Sequence, residues 1–407
     1  LVARSILDLK GEIMLKYKGK YGEATVMIDT IDEVTVSQIY EFLNHPAFKN
    51  KIVIMSDCHA GNGAVIGFTM PLNPDMVIPN VVGVDINCGM FSFNVGKNIL
   101  AGLSRKDIDL NIRQLIPFGT NVHKRNPTVE KYLFILASTE HREFTMMFNK
   151  TYGTSYSPMN FDMKWFENKA DEIGISFDRV VKSIGTLGGG NHFIELGKSK
   201  NTGDYWFTIH SGSRQFGLKV CNYWQRKAGK GSLAYLSGDD AFGYLTDMVF
   251  VQKYAELNRT EMARHIIDAC QISSLYVKEQ IQTNHNFISF KDFIIRKGAI
   301  SSYEGQKMII PFNMEDGILI CEGKSNPEWN FSAPHGAGRV GSRTWAKKKL
   351  NLEEAKKRME DNNIYFSTLP KDELKGAYKD PKIIEEAIEP TATIIDRLKP
   401  MIAMKDK

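Results

Sequence analysis

Asp85 and Cys88 stand three residues apart in the stretch Val81–Met90 (VVGVDINCGM), where a run of Val and Ile meets two glycines. A carboxylate and a thiol placed at the end of an apolar run are typical of a preformed metal corner. The alternative is a turn aspartate followed by a structural cysteine, since free cysteine is among the most buried residue types. We predict a buried strand over the Val and Ile run, and other parts of the chain must decide between the two interpretations.

The nine histidines fall into two groups by their neighbours. One group stands beside Gly, Asn or Ser in predicted loops or at strand ends: His192, His210, His285 and His335, with His59 in similar company. The other stands in helical or insertion contexts, where a structural or solvated role is expected: His45, His123, His141 and His265. Imidazole, carboxylate and thiolate together suit Zn²⁺ or Mn²⁺, and the first four histidines with Asp85 and Cys88 exceed one tetrahedral site. We therefore predict two metal ions, or one pair of ions plus a free histidine, an arrangement that suits phosphoryl chemistry.

A further candidate site lies in Ser332–Lys347 (SAPHGAGRVGSRTWAK). Small residues surround His335, so we expect its ring to be exposed and the nearby backbone amides to be free to hold a phosphate. A helix that begins near Gly338 would place Arg339 and Arg343 one turn apart on one face, with a lysine one turn further. Arginine pairs suit bidentate phosphate contacts, and a histidine there is a candidate nitrogen nucleophile. The plain alternative is a glycine turn before a surface basic helix.

Gly185–Leu196 (GTLGGGNHFIEL) is a glycine loop that runs into a predicted strand. It lacks the Gly-Lys-Ser/Thr ending of a P-loop and precedes a strand instead of a helix, so by itself it is weak evidence for phosphate binding. Its value is that it brings Asn191, His192 and Glu195 side by side. Because successive side chains of a regular strand point to opposite faces, we predict an irregular start of the strand at His192.

The elements that must position these residues are predicted to form one large α+β domain over residues 1–407. Strands are predicted at Ala24–Ile28, Lys51–Met55, Asn286–Ile295 and Gly317–Cys321. Residues 126–177, rich in Lys, Glu, Tyr and Asn, are predicted to be a helical covering subdomain or insertion.

The helical predictions are specific enough to be checked. Thr35 and Gln38 are predicted to form a capping box at the start of a helix. Asp240–Gln271 is predicted to be a long amphipathic helix, broken or bent near Asn258. The tail is predicted to contain helices over Leu352–Asp361 and Pro381–Leu398.

Composition is ordinary for a soluble globular protein, with 43% hydrophobic and 24% charged residues and a net charge of +5. The positive charge fits an anionic partner. No apolar run approaches the ~18 residues that a membrane span needs, so we expect no membrane association. The five scattered cysteines predict free thiols in a reducing compartment, and hence a cytoplasmic protein: Cys58, Cys88, Cys221, Cys270 and Cys321.

These motifs together resemble the RtcB family of GTP-dependent RNA ligases, and the resemblance covers nearly the whole chain. The main blocks are Ser56–Gly67, Val82–Met90, Gly185–Glu195, His210–Arg214 and His335–Arg343. The supporting blocks are Asn284–Asn286, Arg296–Ala299, Ala377–Asp380 and Met404–Lys405. The resemblance implies a single domain with mixed β-sheets around a dinuclear metal site. It further implies an enzyme that joins RNA 2′,3′-cyclic phosphate or 3′-phosphate ends to 5′-hydroxyl ends, in tRNA splicing or RNA repair, using GTP and two Mn²⁺ ions.

The resemblance also implies roles for individual residues. One Mn²⁺ would be held by Asp85, Cys88 and His192, and the other by Cys88, His210 and His285. His335 would be the nucleophile that takes up GMP, with Asp57 to orient it. The guanylate site would be lined by Asn191, His192, Phe193, Ile194, Glu195, His285, Asn286, Pro311, Asn313, Met314, His335, Gly336, Ala337, Gly338 and Lys405. RNA or triphosphate oxygens would be held by Arg214, Lys297, Arg339 and Arg343.

One loop departs from the family pattern, which is Pro-Gly-Ser-Met-Gly. The corresponding residues are Pro311, Phe312, Asn313, Met314 and Glu315, followed by Asp316. A bulky Phe replaces a flexible Gly, and two acids arrive near the expected guanylate site, which bears on nucleotide affinity, ligation efficiency and the choice of RNA end. One hypothesis is a divergent branch devoted to RNA repair. Neither the natural RNA nor any activating protein partner follows from the sequence.

Two other functions are compatible with the same residues. A dinuclear metal phosphoesterase would open 2′,3′-cyclic phosphates without ligation, would not require GTP and would tolerate His335→Ala. An RNA-binding module with a degenerate site would hold no metal, although every residue of the metal set is present.

Overall fold

Two large β-sheets and a set of packed helices make up the part of the chain that the computed structural model describes, namely residues 4–7, 13–97, 102–125, 131–273, 275 and 277–407. The strands are β1 (Arg4–Leu7), β2 (Ile13–Lys18), β3 (Glu23–Val26), β4 (Ile52–His59), β5 (Ile66–Pro71), β6 (Gly89–Gly96), β7 (Phe193–Ser199), β8 (Tyr205–Ser211), β9 (Glu279–Asn284), β10 (Asn286–Ile288), β11 (Ile294–Lys297), β12 (Ala299–Ser301), β13 (Lys307–Pro311), β14 (Ile318–Gly323), β15 (Ser332–Pro334), β16 (Tyr365–Phe366) and β17 (Ala392–Met404). The helices are α1 (Glu33–Leu43), α2 (Pro79–Val82), α3 (Arg105–Leu115), α4 (Lys131–Tyr152), α5 (Met163–Glu172), α6 (Phe177–Lys182), α7 (Arg214–Ala228), α8 (Gly238–Ala269), α9 (Arg343–Lys349), α10 (Leu352–Asp361) and α11 (Pro381–Ala387). No helix in these ranges has the length and apolar character to cross a membrane.

Both large sheets are mixed. The first has the strand order β1–β2–β3–β4–β5–β11–β10, and the second has the order β13–β14–β17–β7–β8–β6–β9 with β16 beside β17. Among the described pairings, β3–β4 and β16–β17 are parallel and the others are antiparallel. The strands β12 and β15 form a separate, two-stranded antiparallel sheet. The predicted α+β class is confirmed.

The long helix α8 packs between the second sheet and the helices α4 and α5. Phe250 of α8 lies 4.8 Å from Phe166 of α5, measured between ring centroids, and both rings are buried. Phe144 and Phe148 of α4 belong to the same apolar core, which extends to the first sheet. Residues 126–130 of the predicted covering region lie outside the described residues. The apolar side of α4 and α5 is thus continuous with the main core, and their assignment to a covering subdomain stays a prediction.

The predicted strand over Val81–Met90 is wrong. The run of Val residues forms the end of the short helix α2, which has Pro79 at its first position, where a fixed φ near −65° favours a helical start. Gly83 and Asn87 then adopt positive φ values of 97° and 57°, so the backbone turns and the strand begins only at β6. Asp85 and Cys88 therefore lie in a tight turn that precedes a strand.

The starts of two helices also differ from the prediction, because the side chains of Asp32 and Ser342 accept the first backbone N–H groups. Asp32, not Thr35, caps α1, and its side chain accepts the Thr35 backbone N–H at 3.0 Å. Gln38 has no capping role, and its side-chain oxygen accepts the Gly61 N–H at 3.0 Å. The basic helix α9 begins at Arg343 behind the cap Ser342, five residues later than predicted. Arg339 therefore lies in the preceding loop and not on the helix.

The helix α8, the tail and one strand also differ from the prediction. α8 runs unbroken from Gly238 to Ala269, so the predicted break near Asn258 is absent. Leu352–Asp361 is a helix as predicted, but the predicted helix after Pro381 ends at Ala387. β17 follows, with a bulge beside Pro400, which has no N–H for the ladder. The predicted strand Asn286–Ile295 is the hairpin β10–β11.

Candidate active site

The five predicted metal ligands meet at one edge of the second sheet. Cys88 and His192 directly precede β6 and β7, whereas His210 lies near the end of β8 and His285 directly follows β9. Since β7, β8, β6 and β9 are consecutive antiparallel neighbours, the starts of two strands and the ends of the other two share an edge. Asp85 reaches the same edge from the turn after α2. The irregular start predicted at His192 is confirmed, because β7 begins at Phe193.

The ligand atoms form a continuous chain of short contacts. Asp85 Oδ2 lies 3.0 Å from His192 Nε2, which lies 3.4 Å from Cys88 Sγ. Cys88 Sγ lies 3.2 Å from His210 Nε2, which in turn lies 3.3 Å from His285 Nε2. Cys88, His192 and His210 are buried and their ligand atoms lie within 4.8 Å of one another, as in a metal-binding cluster. Cys88 is therefore central to the set, with Asp85 at one end and His285 at the other.

The hydrogen bonds on the far side of two imidazoles fix where their protons are. Nδ1 of His192 lies 2.8 Å from the Leu187 carbonyl oxygen, and Nδ1 of His210 lies 3.1 Å from that of Asn191. A carbonyl oxygen only accepts, so both Nδ1 atoms carry hydrogen and both Nε2 atoms present lone pairs. In this tautomer the His192 lone pair faces the Asp85 carboxylate. Acceptors that face each other at this distance fit a cation between them.

The pKa values of these side chains also favour a cation in the cluster. Burial alone would raise the pKa of Asp85, but its combined interactions with His192, Cys88 and Arg214 outweigh burial and lower the pKa to about 2. Burial raises the pKa of Cys88 well above its usual value, and the nearby Asp85 charge adds to this. Burial also lowers the pKa of His210 and His285 well below the usual range. His210 and His285 are thus neutral, and a cation would be needed to keep the buried Cys88 thiolate ionised.

His335 adjoins this cluster and is held by Asp57. The Asp57 Oδ2 atom accepts hydrogen bonds from His335 Nδ1 at 2.5 Å, from the His335 backbone N–H at 3.0 Å and from the Gly336 N–H at 3.2 Å. Asp57 is completely buried, while the His335 side chain keeps 19% of its surface exposed, less than predicted. Its ring lies 4.7 Å from the His285 ring, measured between centroids. With Nδ1 occupied, Nε2 is the nitrogen that is available for chemistry.

A cavity of about 360 Å³ is bordered by His335 and by the predicted metal ligands except His192, and it is lined by most of the predicted guanylate residues. The predicted residues at its wall are Asp85, Cys88, Asn191, Phe193, Glu195, His210, His285, Asn286, Pro311, Asn313, Met314, His335, Gly336, Ala337, Gly338, Arg339, Arg343 and Lys405. Ile194 is not among them and lies in the apolar core, on the opposite face of β7 from Phe193. Asp57 and His192 are not part of the lining, but Asp57 contacts His335, and His192 contacts Asp85 and Cys88.

Two of the predicted phosphate ligands have their nitrogens engaged with the protein. Lys297 is buried, donates to the Asn62 and Asn80 carbonyl oxygens, and burial lowers its pKa to about 8. Arg214 donates to Thr186 Oγ1 at 3.1 Å and to the Gly119 carbonyl oxygen at 2.9 Å. In this arrangement both residues brace loops beside the cavity.

Glu373 is a central residue of the cavity that the sequence reasoning missed. Its buried carboxylate accepts from Arg339 at 3.2 Å, Arg343 at 2.7 Å, Lys405 at 2.9 Å and the Tyr378 hydroxyl at 2.6 Å. Burial alone would raise the pKa of Glu373, but the Lys405 charge first, and then the Arg343 charge and the Tyr378 hydrogen bond, lower it overall. The block Ala377–Asp380 was an available signal for this neighbourhood. The three cations are thereby held at one side of the cavity, although only Arg343 lies on a helix.

Two further residues that the sequence reasoning missed stand on α8, at the position of the predicted break. Asn258 Oδ1 accepts the Gly185 and Thr186 N–H groups, and its Nδ2 donates to Ser211 Oγ and to the Gly212 carbonyl oxygen. Arg259 is completely buried. It donates to the carbonyl oxygens of Asn87 at 2.7 Å and Ser211 at 2.9 Å, and to Asn284 Oδ1 at 2.7 Å. Together they hold the four segments that carry the metal ligands.

Glu315 and Asp316 are the two acids of the loop that differs from the family pattern, and both point away from the cavity. Glu315 forms a bidentate ion pair with Arg358 of α10, and both N–O distances are 2.9 Å. Asp316 pairs with Lys375 at 2.6 Å. Phe312 is buried in an apolar cluster with Ala337 and Tyr378. The added negative charge is thus neutralised outside the expected guanylate site.

Comparison with known proteins agrees with this geometry. The family profile described as tRNA-splicing ligase RtcB matches residues 38–406. The RNA-splicing ligase RtcB of Escherichia coli K12 is 29% identical over 403 residues, which cover 90% of this chain and 93% of that protein. The tRNA-splicing ligase RtcB of Archaeoglobus fulgidus is 23% identical over 486 residues, with 98% of each chain covered. The chain belongs to the tRNA-splicing ligase RtcB family.

Proposed function

We propose that this protein is an RNA ligase that joins 2′,3′-cyclic phosphate or 3′-phosphate ends to 5′-hydroxyl ends through a guanylyl-histidine intermediate. The observation that carries the proposal is the 2.5 Å contact between Asp57 Oδ2 and His335 Nδ1, in a cavity shared with a Cys and His cluster. Membership of the tRNA-splicing ligase RtcB family supports the RNA ligase activity.

His335 would begin the reaction as the nucleophile. Its Nε2 attacks the α-phosphorus of GTP, a P–N bond forms, and the P–O bond to pyrophosphate breaks. Asp57 holds the Nδ1 proton during the step and stabilises the positive charge that develops on the ring. This histidine therefore needs no proton removed from the attacking nitrogen.

The metal ligands fit two Mn²⁺ ions. Asp85, Cys88, His192, His210 and His285 would hold them, because these residues supply the central Cys88 sulfur and four further donor atoms, and the buried Nδ1 of His285 has no protein partner. The ions would supply Lewis acidity toward phosphate oxygens. Leu187 and Asn191 orient two of the imidazoles through their carbonyl oxygens.

Glu195 favours guanine as the base. Its carboxylate lies at the cavity wall, and its buried Oε1 has no hydrogen-bond donor within the protein. A buried acceptor without a donor is costly, so a ligand that supplies N–H groups would be favoured. Guanine presents N1–H and N2–H₂ donors on one edge, whereas adenine carries no hydrogen at N1 or C2 that could serve as such a donor. The unpaired Glu195 oxygen therefore supports GTP as the nucleotide of the proposed reaction.

The RNA steps would use the guanylylated His335. Water opens a cyclic phosphate to a 3′-phosphate by breaking the P–O2′ bond. An oxygen of that 3′-phosphate attacks the guanylyl phosphorus, the P–N bond breaks and neutral His335 is restored. The 5′-hydroxyl oxygen of the second RNA then attacks the 3′-phosphate phosphorus, loses its proton, and GMP leaves. Arg339 and Arg343, held beside the cavity by Glu373, would stabilise the phosphate charges.

The proposal is tested by incubating the purified protein with GTP labelled at the α-phosphate and with Mn²⁺. Wild type should take up label that is acid-labile and alkali-stable, as expected of a phosphoramidate. His335→Ala should take up none, and Cys88→Ala should take up little. His123→Ala is the matched control, because His123 lies outside the cavity lining, and it should label normally.

Two outcomes would contradict the proposal. One is a metal-loaded wild type that takes up no label, and the other is equal labelling of His335→Ala. If cyclic phosphate ends are then hydrolysed without GTP, and His335→Ala hydrolyses them equally well, the protein acts as a phosphoesterase instead.

A further inference from the structure

A second cavity, of about 310 Å³, lies away from the active site and is lined by four cationic side chains: Arg105, Lys198, Lys200 and Lys399. We call these four residues and the cavity between them the basic groove. The groove lies where the end of β7 and the middle of β17 approach the first turn of α3 and the end of α10. Its lining includes no carboxylate. Nothing in the proposed reaction uses these residues.

The cations of the groove are placed against electrostatic preference. Lys198 of β7 and Lys399 of β17 are direct partners in the antiparallel ladder, and both are exposed. Like charges at directly opposed positions destabilise a strand pair. Within the described residues, no ion pair joins Lys198, Lys200, Lys399 or Arg105 to an acid. Such an arrangement is favourable when an anion binds between the charges.

The remaining walls are fitted for a phosphate and its sugar. Arg105 is held in place by Asn363, whose backbone carbonyl and side-chain oxygens both accept from its Nη1. Asn362 and Asn363 add polar groups, and Pro400 and Met401 form an apolar part of the wall. The nearby Asp396 is occupied, because it accepts from Ser199 Oγ at 2.5 Å and from the Arg397 N–H at 2.7 Å.

The groove and the active site lie on opposite faces of the second sheet. Glu195 lines the active-site cavity, and Lys198, three residues further along β7, points to the other face. Along β17, the distance from Lys399 to Lys405 is about 20 Å at the ~3.3 Å rise of a strand residue. A ligand of the groove is therefore not the few nucleotides that react, but a more distant part of a larger molecule.

We propose that the basic groove binds the phosphodiester backbone of a folded RNA substrate, beyond its reacting ends. The inference rests on the proposed function for the identity of the substrate as RNA. Lysine contacts of this type give affinity without base reading and make binding salt-dependent. The groove would thus favour folded RNAs, whose helices extend well beyond the joined ends, over short single strands.

The test measures binding of a fluorescent hairpin RNA, with both ends blocked against reaction, by anisotropy across a salt series. The double variant Lys198→Gln/Lys399→Gln should bind more weakly, and the slope of log affinity against log salt should fall by about 2. Arg105→Gln should lower the slope by about 1. The matched control is Lys150→Gln/Lys164→Gln, which removes the same charge from exposed positions on α4 and α5 and should leave the slope unchanged. Thermal melting confirms that each variant is folded.

The outcomes separate this inference from the proposed function. If Lys198→Gln/Lys399→Gln has the same salt slope and RNA affinity as the control variant, the proposal that the groove binds RNA is overturned, whatever the result of the labelling assay. A lower slope with a wild type that takes up no GMP would support the groove and leave the ligase proposal refuted. Vesicles containing phosphatidylglycerol provide a second arm: loss of vesicle binding without loss of RNA binding would also overturn the inference.

Discussion

At the scale of single residues, the most informative contact is that of Asp57 with His335. One oxygen, Oδ2, accepts all three hydrogen bonds, whereas Oδ1 is buried and has no partner. An asparagine is able to keep its oxygen at the Oδ2 position and to place its amide nitrogen where Oδ1 was. The position therefore allows the charge of Asp57 to be removed separately from its orienting role.

Asp57→Asn should keep the fold and the direction of the His335 ring but lose the charge that stabilises the imidazolium. We expect the rate of self-guanylylation to fall about a hundredfold or more, with the melting temperature near that of wild type. Asp57→Ala leaves two backbone N–H groups unsatisfied and should also be less stable, by about 1–3 kcal/mol for each buried group. Equal rates in Asp57→Asn and wild type would show that orientation alone matters.

Cys88 and Asp85 should differ in their effect on metal content. Cys88 Sγ lies between His192 and His210, so Cys88→Ala should remove both ions. Asp85 lies at one end of the chain of ligand atoms, 3.0 Å from His192 Nε2, and Asp85→Ala should keep part of the second ion. Elemental analysis of protein loaded with Mn²⁺ and then desalted measures this. Cys270→Ala, a buried free thiol outside the site, is the control. Equal metal loss in the Cys88 and Asp85 variants would refute a bridging role for Cys88.

Glu195 should make the stability of the metal-free protein depend on pH. Burial raises the pKa of Glu195 to about 8, so the folded state retains a proton that the unfolded state has lost. Because the folded state then binds more protons, the stability contribution of Glu195 is full below its ordinary pKa and is lost as the pH rises through about 8. Urea unfolding of the metal-free protein between pH 5 and pH 8.5 should show this decline, and Glu195→Gln should reduce it. An identical pH slope in the variant would contradict the assignment.

At the scale of elements, sequence patterns located the strand ends that carry chemistry better than the elements that support them. Neighbouring Gly, Asn or Ser residues predicted loop or strand-end positions for His192, His210, His285 and His335, because candidate ligands must leave the apolar ladder where strands end. The helical break predicted near Asn258 was wrong, since polar residues in a helix suggest a turn unless tertiary partners are known. Those partners lie 46 to 73 residues away for Asn258, and no local pattern shows them.

Arg259 should control metal affinity from outside the cluster. Arg259→Lys keeps the charge but is unable to reach Asn87, Ser211 and Asn284 at the same time, so the turns that carry the ligands would loosen. We expect the affinity for Mn²⁺ to fall about 10- to 100-fold and the free energy of unfolding to fall by about 2–3 kcal/mol. Titration calorimetry and urea unfolding measure the two effects. Arg264→Lys on the same helix, with its side chain more exposed, is the control. Unchanged metal affinity would restrict Arg259 to a purely structural role.

At the scale of the whole molecule, the α+β class and a single shared site were predictable because the motifs recur across the full length. The arrangement of the sheets was not. The first part of β17, up to Leu398, was predicted as helix because Pro381 and the acids after it favour a helical start. The change to strand follows from pairing with β14 and β7. The role of Glu373 was hidden for the same reason, as Lys405 stands 32 residues away.

Removal of metal should destabilise the whole molecule, because the ligands come from four neighbouring strand ends and from the turn after α2. Ions that bind only the folded state raise its stability in proportion to the logarithm of their concentration. Dialysis against a chelator should therefore lower the melting temperature, and Mn²⁺ should restore it. Cys88→Ala serves as the control and should hardly respond to either treatment. A chelator effect of the same size in that variant would place the stabilising ions elsewhere.

The position of β17 has a consequence for synthesis. Among the described strands it is the last in the sequence, yet it lies in the interior of the second sheet, between β14 and β7, and Lys405, directly after it, contacts Glu373 in the cavity. During translation, β7 and β14 are complete long before the strand that joins them. A nascent chain would therefore hold an open sheet with two exposed edges, which invite pairing with other chains. Completion of both the sheet and the Lys405 side of the cavity would therefore wait for the same late pairing step.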